Sequence, residues 1–123
     1  MAKLDELITE MRTAIGADFI STNVVGMDGI SIAGGSTDPN YDAEAAAARF
    51  AMVMKNVAQT SKKLNLGSLD DNLITTDKMY IISLFLGNGS YFWELAVNRE
   101  ASLGMIRMTM NEYTPKLWEA IPH

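Results

Sequence analysis

The sequence predicts a single α+β domain in which one mixed sheet carries helices on both faces. The chain has 123 residues, 48% of them hydrophobic, which is enough for one domain with its own core. Apolar residues recur at helical spacing in three segments and in extended patterns in five. One of these runs is apolar at nearly every position, as in a strand that is covered on both faces. The predicted order is helix, two strands, helix, three strands, helix.

The first predicted elements are a helix and a hairpin. Residues 3–15 place their apolar side chains in one stripe of an amphipathic helix, and Gly16 ends it. Residues 18–25 are rich in β-branched and aromatic side chains, and residues 30–33 resume the extended pattern. The Asp-Gly pair at 28–29 suits the tight turn between them, because both residue types tolerate a positive φ.

A polar loop and a long helix follow. Residues 34–41 combine Gly, Ser, Asp, Pro and Asn, so they are predicted to form a loop. Asp42 can cap a helix that continues to about Leu64. Apolar residues cover more than one side of this helix, which predicts that it contacts two surfaces. One stripe contains Ala46, Phe50, Val53 and Val57, and the other contains Ala47, Met54 and Ala58.

Three more strands are predicted before the last helix. Residues 69–77 are polar apart from one Leu-Ile pair, and we interpret them as a strand at the edge of the sheet. Residues 79–86 are the nearly continuous apolar run, so we expect them to form a central strand. Residues 87–89 form a turn of Gly and Asn, after which 91–98 alternates between apolar and polar positions.

The last predicted element is a helix that Ser102 caps. Its apolar stripe extends from residue 103 to residue 121, and Pro115 should kink it because proline has no amide hydrogen. Thr114 can recap the turns that follow. Nine methionines are many for a chain of this length, and their positions in or beside apolar stripes predict that most of them belong to the core.

Composition and residue types argue against several functions. The net charge of −5 argues against general nucleic-acid binding, because neutralising phosphates requires clustered Lys and Arg. No segment reaches the length of a membrane span, so we expect no membrane insertion and a cytoplasmic location. The chain has no cysteine, and its one histidine is the terminal His123, so the usual members of catalytic triads and zinc sites are missing. We therefore expect a binding module without catalytic residues, metal or cofactor.

Two charged pairs have a structural interpretation and a functional one. Asp70 and Asp71 could form an acid pair, but adjacent residues of a strand point to opposite faces, and charges at a sheet edge also prevent aggregation. Lys62 and Lys63 look like a basic patch, but cations are also favoured at the C-terminal end of a helix. We favour the structural interpretation for both pairs.

Three segments are more specific than these general patterns. They are VVGMDGISIAG at 24–34, LITTDKMYII at 73–82 and LGMIR at 103–107. Together they resemble the Roadblock family of dynein light-chain-like proteins, and in particular its stand-alone prokaryotic members. The resemblance extends over essentially the whole chain. It implies a five-stranded antiparallel sheet of the profilin or longin type, with the long second helix on one face and the two terminal helices on the other.

The resemblance also implies a homodimer, in which the third strands pair edge to edge and the second helices lie side by side. The sequence fits this arrangement, because an open strand edge has free backbone groups and small side chains let two helices approach. High helix propensity explains the alanines of the second helix equally well. The predicted interface comprises Asn72, Leu73, Ile74, Thr75 and Thr76 of the strand and Ala46, Phe50, Val53 and Met54 of the helix.

Ras-like small GTPases are the partners that the resemblance implies, either to stimulate their GTP hydrolysis or to hold them near other proteins. We expect the contact at exposed polar positions of the second helix, namely Arg49, Lys55, Asn56 and Gln59. None of the glycine pairs belongs to a phosphate-binding motif, so the chain alone is not expected to bind GTP. Arg99 and Arg107 could, like Arg49, serve as a catalytic arginine, but Arg107 could equally form an intrachain salt bridge, and none is assigned.

Two other functions remain open from the sequence. A structural adaptor would bind proteins other than a GTPase. A small-molecule sensor would need an apolar cavity, whereas the bulky side chains of Phe85, Phe92 and Trp93 predict a filled interior.

Overall fold

The computed structural model describes residues 2–122 and contains the elements in the predicted order. The helices are α1 (Ala2–Ile15), α2 (Ala43–Lys63) and α3 (Leu103–Ala120), and a short 3-10 turn (Gly16–Asp18) follows α1. The strands are β1 (Phe19–Gly26), β2 (Ser31–Ser36), β3 (Asn72–Thr75), β4 (Met79–Leu86) and β5 (Tyr91–Asn98). His123 lies outside the described residues.

The five strands form one sheet in the order β2-β1-β5-β4-β3, and every neighbouring pair is antiparallel. The sheet is therefore not mixed, and it agrees with the antiparallel arrangement that the family resemblance implied. β3 lies at the edge, as predicted. β4 is an interior strand, as predicted, because it pairs with β3 and β5, and β5 occupies the middle of the sheet, where it is buried at six consecutive positions.

Two strand boundaries differ from the prediction. Gly34, Gly35 and Ser36 belong to β2 and not to a loop, because they pair with residues 21–23 of β1. A Cβ atom on Gly34 would lie 2.5 Å from the carbonyl oxygen of Thr22, so the close approach of the two strands requires glycine there. β3 is shorter than the predicted segment 69–77, and it covers only part of the length of β4.

The two faces of the sheet are covered by different helices, as the resemblance implied. α1 and α3 contact each other and pack on one face, where Trp93, Leu95 and Ile82 belong to a large apolar cluster. α2 lies on the other face and contacts mainly β1 and β2. There Val25 and Phe92 of the sheet form a smaller cluster with residues of the helix.

The ends of α2 and α3 have the predicted caps, but Pro115 does not break α3. The Asp42 carboxylate accepts a hydrogen bond from the Ala45 amide (3.0 Å), and the Ser102 hydroxyl accepts one from the Met105 amide (3.4 Å). α3 continues through Pro115 as one helix. The Thr114 hydroxyl donates to the carbonyl oxygen one turn earlier (2.6 Å), so it bonds within the helix and does not cap a new one.

Most of the methionines do not lie in the core, so that prediction is wrong. Of the eight methionines among residues 2–122, only Met11, Met54 and Met110 are buried. Met52 of α2 and both Met105 and Met108 of α3 are more than 60% exposed, because they lie on the sides of their helices that face away from the sheet. Ile30, Leu64 and Leu66 are also large apolar side chains with more than 60% of their surface exposed.

The turn between β4 and β5 rests on the C-terminal part of α3. Gly87 has a φ of 57°, and a Cβ atom at this position would lie 2.1 Å from the Cε2 atom of Trp118. Both the backbone conformation and the close approach of the indole ring therefore require glycine. The indole also packs against the ring of Tyr91, with 6.5 Å between the ring centroids.

Candidate protein-interaction surface

α2 presents three sides to its surroundings. Ala47, Ala51 and Met54 are at most 2% exposed and pack toward the sheet. The opposite side faces solvent. Between them lies a stripe of half-buried apolar residues, which consists of Ala46, Phe50, Val53 and Val57. This apolar stripe is one of the two stripes predicted from the sequence, and the sheet of the same chain covers it only in part.

The residues predicted for a dimer contact on α2 divide between two of these sides. Ala46, Phe50 and Val53 belong to the half-buried stripe. Met54 has no exposed surface, because it packs between α2 and the sheet, so it cannot contact a second chain. Adjacent helical residues are about 100° apart, and the sequence alone does not show on which side of Val53 the sheet lies. We therefore leave Met54 out of the contact surface proposed below.

The other predicted contact, the strand β3, has an open edge. The Thr76 amide donates to the Met79 carbonyl oxygen (2.9 Å), so this amide points toward β4. Backbone groups of successive strand residues point alternately to the two sides of the strand. Those of Leu73 and Thr75 consequently point away from β4, toward the open edge. β3 thus offers two amides and two carbonyls to another strand.

The four residues predicted for partner binding are all exposed, but they do not form one compact cluster. Arg49 and Asn56, which are seven residues apart, lie on the side of α2 next to the half-buried stripe. Lys55 and Gln59 lie on the other side of the exposed surface. Between these two pairs lies Met52, which is 65% exposed. The position of Met52, about 200° around the helix from the buried Met54, accounts for its exposure.

α2 is basic, whereas the rest of the chain is acidic. The helix carries four basic residues and a single acidic one, Glu44. The basic residues are Arg49, Lys55, Lys62 and Lys63. The whole chain has ten basic and fifteen acidic residues, so six basic and fourteen acidic residues lie outside α2. The exposed side of α2 is therefore a positive surface that attracts negatively charged partners.

Two of the three arginines considered as catalytic residues are engaged within the chain. Arg107 donates two hydrogen bonds to the Asp71 carboxylate, at 2.9 and 3.0 Å, and this pairing holds the pKa of Arg107 above its ordinary value. The intrachain salt bridge is thus confirmed. Arg99 donates to the Thr76 carbonyl oxygen (2.6 Å) and lies over the ring of Tyr80. Arg49 is exposed on α2.

A row of polar side chains crosses the sheet beneath α2. Asn23 of β1 lies opposite Glu94 of β5, Glu94 lies opposite Ser83 of β4, and Ser83 lies opposite Asn72 of β3. Asn23, Ser83 and Glu94 are at most 3% exposed. Burial raises the pKa of Glu94 to about 7, so close to neutral pH this carboxyl group is only partly ionised. Apart from the alternation of β5, no sequence pattern indicates this row.

Tyr41, in the segment before α2, approaches the same row. The Tyr41 hydroxyl, the Ser83 hydroxyl and the Oε2 atom of Glu94 are buried, and within residues 2–122 none of them makes a hydrogen bond of ordinary geometry, although the Tyr41 hydroxyl lies beside Glu94. Burial raises the pKa of Tyr41 to about 12, and the nearby Glu94 carboxylate adds to this shift. The Asn23 amide donates to the Ala43 carbonyl oxygen (3.1 Å), which ties the row to the start of α2.

Two surface grooves bear on the alternative of a small-molecule sensor. A groove of about 400 Å³ between α3 and β4 is lined by the Asp71–Arg107 pair as well as by Ile82 and Met110. A groove of about 620 Å³ lies between the end of α2 and the turn at 87–89, with Lys62 in its wall. Both are open to solvent and carry charged residues, so neither is the enclosed apolar cavity that a sensor would need.

Two other kinds of site are absent from the part of the chain that the structure describes. Residues 2–122 contain no group of His, Cys, Asp or Glu side chains that could hold a metal ion. Within the same residues, no helix combines the length and the apolar character that crossing a membrane requires.

Neither a protein-family model nor a curated protein matches the sequence, but solved structures match its fold. MglB from Myxococcus xanthus has a TM-score of 0.88 at 13% identity, over 97% of this chain and 94% of that chain. A structure described as MglB with tetrameric arrangement has a TM-score of 0.84 at 14% identity, over 96% and 87%. A Roadblock/LC7 domain from Streptomyces avermitilis has a TM-score of 0.76 at 17% identity, over 92% and 96%.

Proposed function

We propose that this chain, which has the Roadblock fold, is a homodimeric, non-enzymatic, cytoplasmic module that binds a Ras-like small GTPase. In this proposal it either stimulates GTP hydrolysis by the GTPase or holds the GTPase near other proteins. The observation that carries the proposal is the similarity of the fold to MglB and Roadblock structures over more than nine-tenths of the chain. The GTPase itself comes from the family resemblance of the three sequence segments.

The proposed dimer uses the open edge of β3 and the half-buried stripe of α2. Its contact residues are Asn72, Leu73, Ile74, Thr75 and Thr76 of the edge and Ala46, Phe50 and Val53 of the helix. The outward backbone groups of β3 and the partly covered apolar stripe support this arrangement. One MglB structure is described with a tetrameric arrangement, which supports only that a protein of this fold can assemble with its own copies. A stable dimer should bury at least about 1,200 Å² in total.

A proline at residue 75 tests the dimer. The Thr75 amide points to the open edge, so Thr75→Pro removes an outward donor and leaves the hydrogen bonds between β3 and β4 intact. Light scattering should give the dimer mass for the unchanged chain and the monomer mass for Thr75→Pro. Thr75→Ala is the matched control and should remain dimeric, because it keeps the amide. A monomeric unchanged chain, or a fully dimeric Thr75→Pro variant, would contradict the proposed edge contact.

A binding assay tests the GTPase partner. The Ras-like GTPases encoded in the same genome would each be loaded with GDP or with a non-hydrolysable GTP analogue and offered to the immobilised chain. We expect one of them to bind in a nucleotide-dependent manner, whereas the chain alone should bind no GTP because it lacks a phosphate-binding loop. Capture of other proteins and of no GTPase would favour the adaptor alternative. Tight GTP binding by the chain alone would overturn the proposal.

Variants of α2 locate the contact. Lys55→Glu combined with Gln59→Ala should weaken GTPase binding while leaving the dimer mass and the melting temperature unchanged, because both side chains are exposed. Lys3→Glu on α1 is the matched control, since it makes the same charge change on the other side of the sheet. If the α2 variant binds as tightly as the control, the contact lies on another face.

A further inference from the structure

The backbone of β3 limits how two copies of this strand can pair. In an antiparallel pair related by a two-fold axis, residues directly opposite each other place their side chains on the same face of the sheet. Side chains alternate between the faces along a strand. The two-fold axis must therefore pass beside one residue, which then lies opposite the same residue of the partner subunit. In a strand of four residues, the positions that leave most of the strand paired are Leu73, Ile74 and Thr75.

Hydrogen bonding separates these three positions. Only Leu73 and Thr75 direct their amides and carbonyls to the open edge. An axis beside Ile74 places Leu73 opposite Thr75 of the partner subunit, and Thr75 opposite Leu73 of the partner subunit. The two outward amides and two outward carbonyls of each copy then all find partners within β3. An axis beside Leu73 would place Thr75 opposite Asp71, and an axis beside Thr75 would place Leu73 opposite Asp77. Both of those aspartates lie outside the strand.

Charge gives an independent argument for the same register. In an antiparallel pair, the exposed Asp70, which precedes β3, and the partner subunit's Lys78, which lies in the turn after β3, flank the same end of the two strands. An axis beside Ile74 makes these two residues counterparts in the register, and neither of the other registers does, so the long lysine side chain can reach the Asp70 carboxylate. Neither residue forms an ion pair with another residue in the range 2–122. The same register aligns Asp71 with Asp77 of the partner subunit, but the charge of Asp71 is already matched by Arg107 (2.9 Å).

We propose that two copies of β3 pair antiparallel with Ile74 opposite Ile74 of the partner subunit, held by four backbone hydrogen bonds and by two Asp70–Lys78 ion pairs. The proposal rests on the homodimer of the proposed function and specifies its register. Leu73 packs into the cluster beneath α1 and α3, so Ile74 faces the side of the sheet that carries α2. The two Ile74 side chains would thus lie on the same face as the apolar stripes of the two α2 helices.

The same register extends the buried polar row into the interface. Asn72 ends the row at β3, and it would lie opposite Thr76 of the partner subunit. An amide and a hydroxyl at this separation can form a hydrogen bond across the two strands. The row would then pass from β1 of one copy to the edge strand of the other.

Because the chain has no cysteine, single cysteine substitutions can determine the register directly. Leu73→Cys, Ile74→Cys and Thr75→Cys would be oxidised separately and analysed by non-reducing electrophoresis. We expect Ile74→Cys to form a covalent dimer, because residues facing each other in a pair without hydrogen bonds have Cα atoms about 4.5 Å apart. The other two variants should cross-link at least tenfold more slowly, because in this register each cysteine lies diagonal to its copy, at about 7–8 Å.

Any other outcome of the cross-linking experiment contradicts the proposed register. Preferential cross-linking of Leu73→Cys or Thr75→Cys would place the axis beside that residue. A dimer in which none of the three cross-links would pair through a different surface. If light scattering shows that the unchanged chain is monomeric, the proposed homodimer fails, and the register fails with it.

A charge exchange gives a second measurement, which does not depend on cysteine geometry. Asp70→Lys and Lys78→Asp should each weaken dimerisation about tenfold, because each change replaces two attractive pairs by two repulsive ones. The double variant should restore the affinity of the unchanged chain. Asp38→Lys, a change of the same charge in the loop before α2, is the control and should leave dimerisation unchanged. If the double variant dimerises as weakly as either single variant, the two residues do not meet.

Discussion

The two faces of the sheet differ in what they bury and in how completely they are covered. The face beneath α1 and α3 is lined almost entirely by apolar side chains, and its one buried polar pair is satisfied, because the Trp93 indole donates to the Thr22 hydroxyl (2.7 Å). The face beneath α2 carries the polar row of Asn23, Glu94 and Ser83, in which two buried oxygen atoms make no hydrogen bond of ordinary geometry within residues 2–122.

Coverage follows the same division. Two helices pack on the apolar face, whereas the single helix α2 lies mainly over β1 and β2. Beyond it, Ile74, Ile81 and Phe85 of β3 and β4 are only half-buried. The apolar face should therefore supply most of the stability of the fold, whereas the α2 face leaves uncovered the surface that the proposed contacts would use.

Removing Trp93 should have the largest effect on the free energy of unfolding. Trp93 is fully buried in the centre of the apolar face, so Trp93→Ala should cost about 3–5 kcal/mol, or prevent folding altogether. Trp93→Phe keeps most of the apolar volume but loses the bond to Thr22, and its cost should be much smaller. Urea denaturation measures both. A loss below about 1 kcal/mol for Trp93→Ala would contradict the role assigned to this face.

A change at Glu94 tests the polar face. The pKa of this carboxyl group is about 7 in the folded chain against 4.5 without burial, so the folded state holds the proton more firmly. The resulting stabilisation is complete below pH 4.5 and is lost as the pH rises toward 7. Between pH 5.5 and pH 8 the unchanged chain should lose about 2 kcal/mol relative to Glu94→Gln. Denaturation at both pH values measures this difference.

Glu6→Gln is the control for that experiment, because Glu6 is exposed on α1 and its replacement should leave the pH dependence unchanged. If the Glu94→Gln variant has the same pH dependence as the unchanged chain, then Glu94 is not the group responsible, and its burial does not set the difference between the faces.

The Asp71–Arg107 pair joins the apolar face to the segment before β3, and its effect should be smaller. Both side chains are partly exposed, at 25% and 40%, so solvent screens the attraction. A double-mutant cycle with Asp71→Ala and Arg107→Ala should give a coupling energy of about 0.5–1 kcal/mol. A coupling of several kcal/mol would mean that this pair, and not the packing of α3, fixes the edge of the sheet.

The smallest effect is expected on the outer side of α3. Met105→Gln and Met108→Gln should each change the free energy of unfolding by less than about 0.5 kcal/mol, because both side chains are more than 60% exposed. Met110→Gln makes the same substitution at a buried position and should cost several times more. Equal effects at the three positions would contradict the orientation of the helix.

The sequence predicted the apolar face better than the polar one, for a physical reason. Alternation in β5 separates Trp93 and Leu95 from Glu94, and it places the first two in the core correctly. The same alternation suggests that Glu94 meets water, but Glu94 meets the polar side chains of the neighbouring strands. A pattern within one segment does not reveal which residues of distant segments lie opposite. For the same reason β5 was not identified as the central strand.

The candidate contact surface was predicted in outline. Helical spacing correctly separated two apolar stripes on α2, but it did not show that Met54 lies inside and Met52 outside until the sheet fixed the orientation of the helix. The edge position of β3 followed from its polar composition. The hydrogen bond between Thr76 and Met79 in the following turn shows which amides of β3 point outward. The composition of the strand carries no information about that bond.

The contact between Gly87 and Trp118 has a consequence for how this sequence can change during evolution. A side chain at residue 87 would collide with the indole, so a substitution there requires that residue 118 first becomes smaller, and the positive φ then favours a residue such as Asn. A smaller residue can replace Trp118 while residue 87 is still glycine, because glycine has no side chain that limits its neighbour. The two positions should therefore vary together among homologous chains, with a small residue at 118 preceding the loss of glycine at 87, although 30 residues separate them in the sequence.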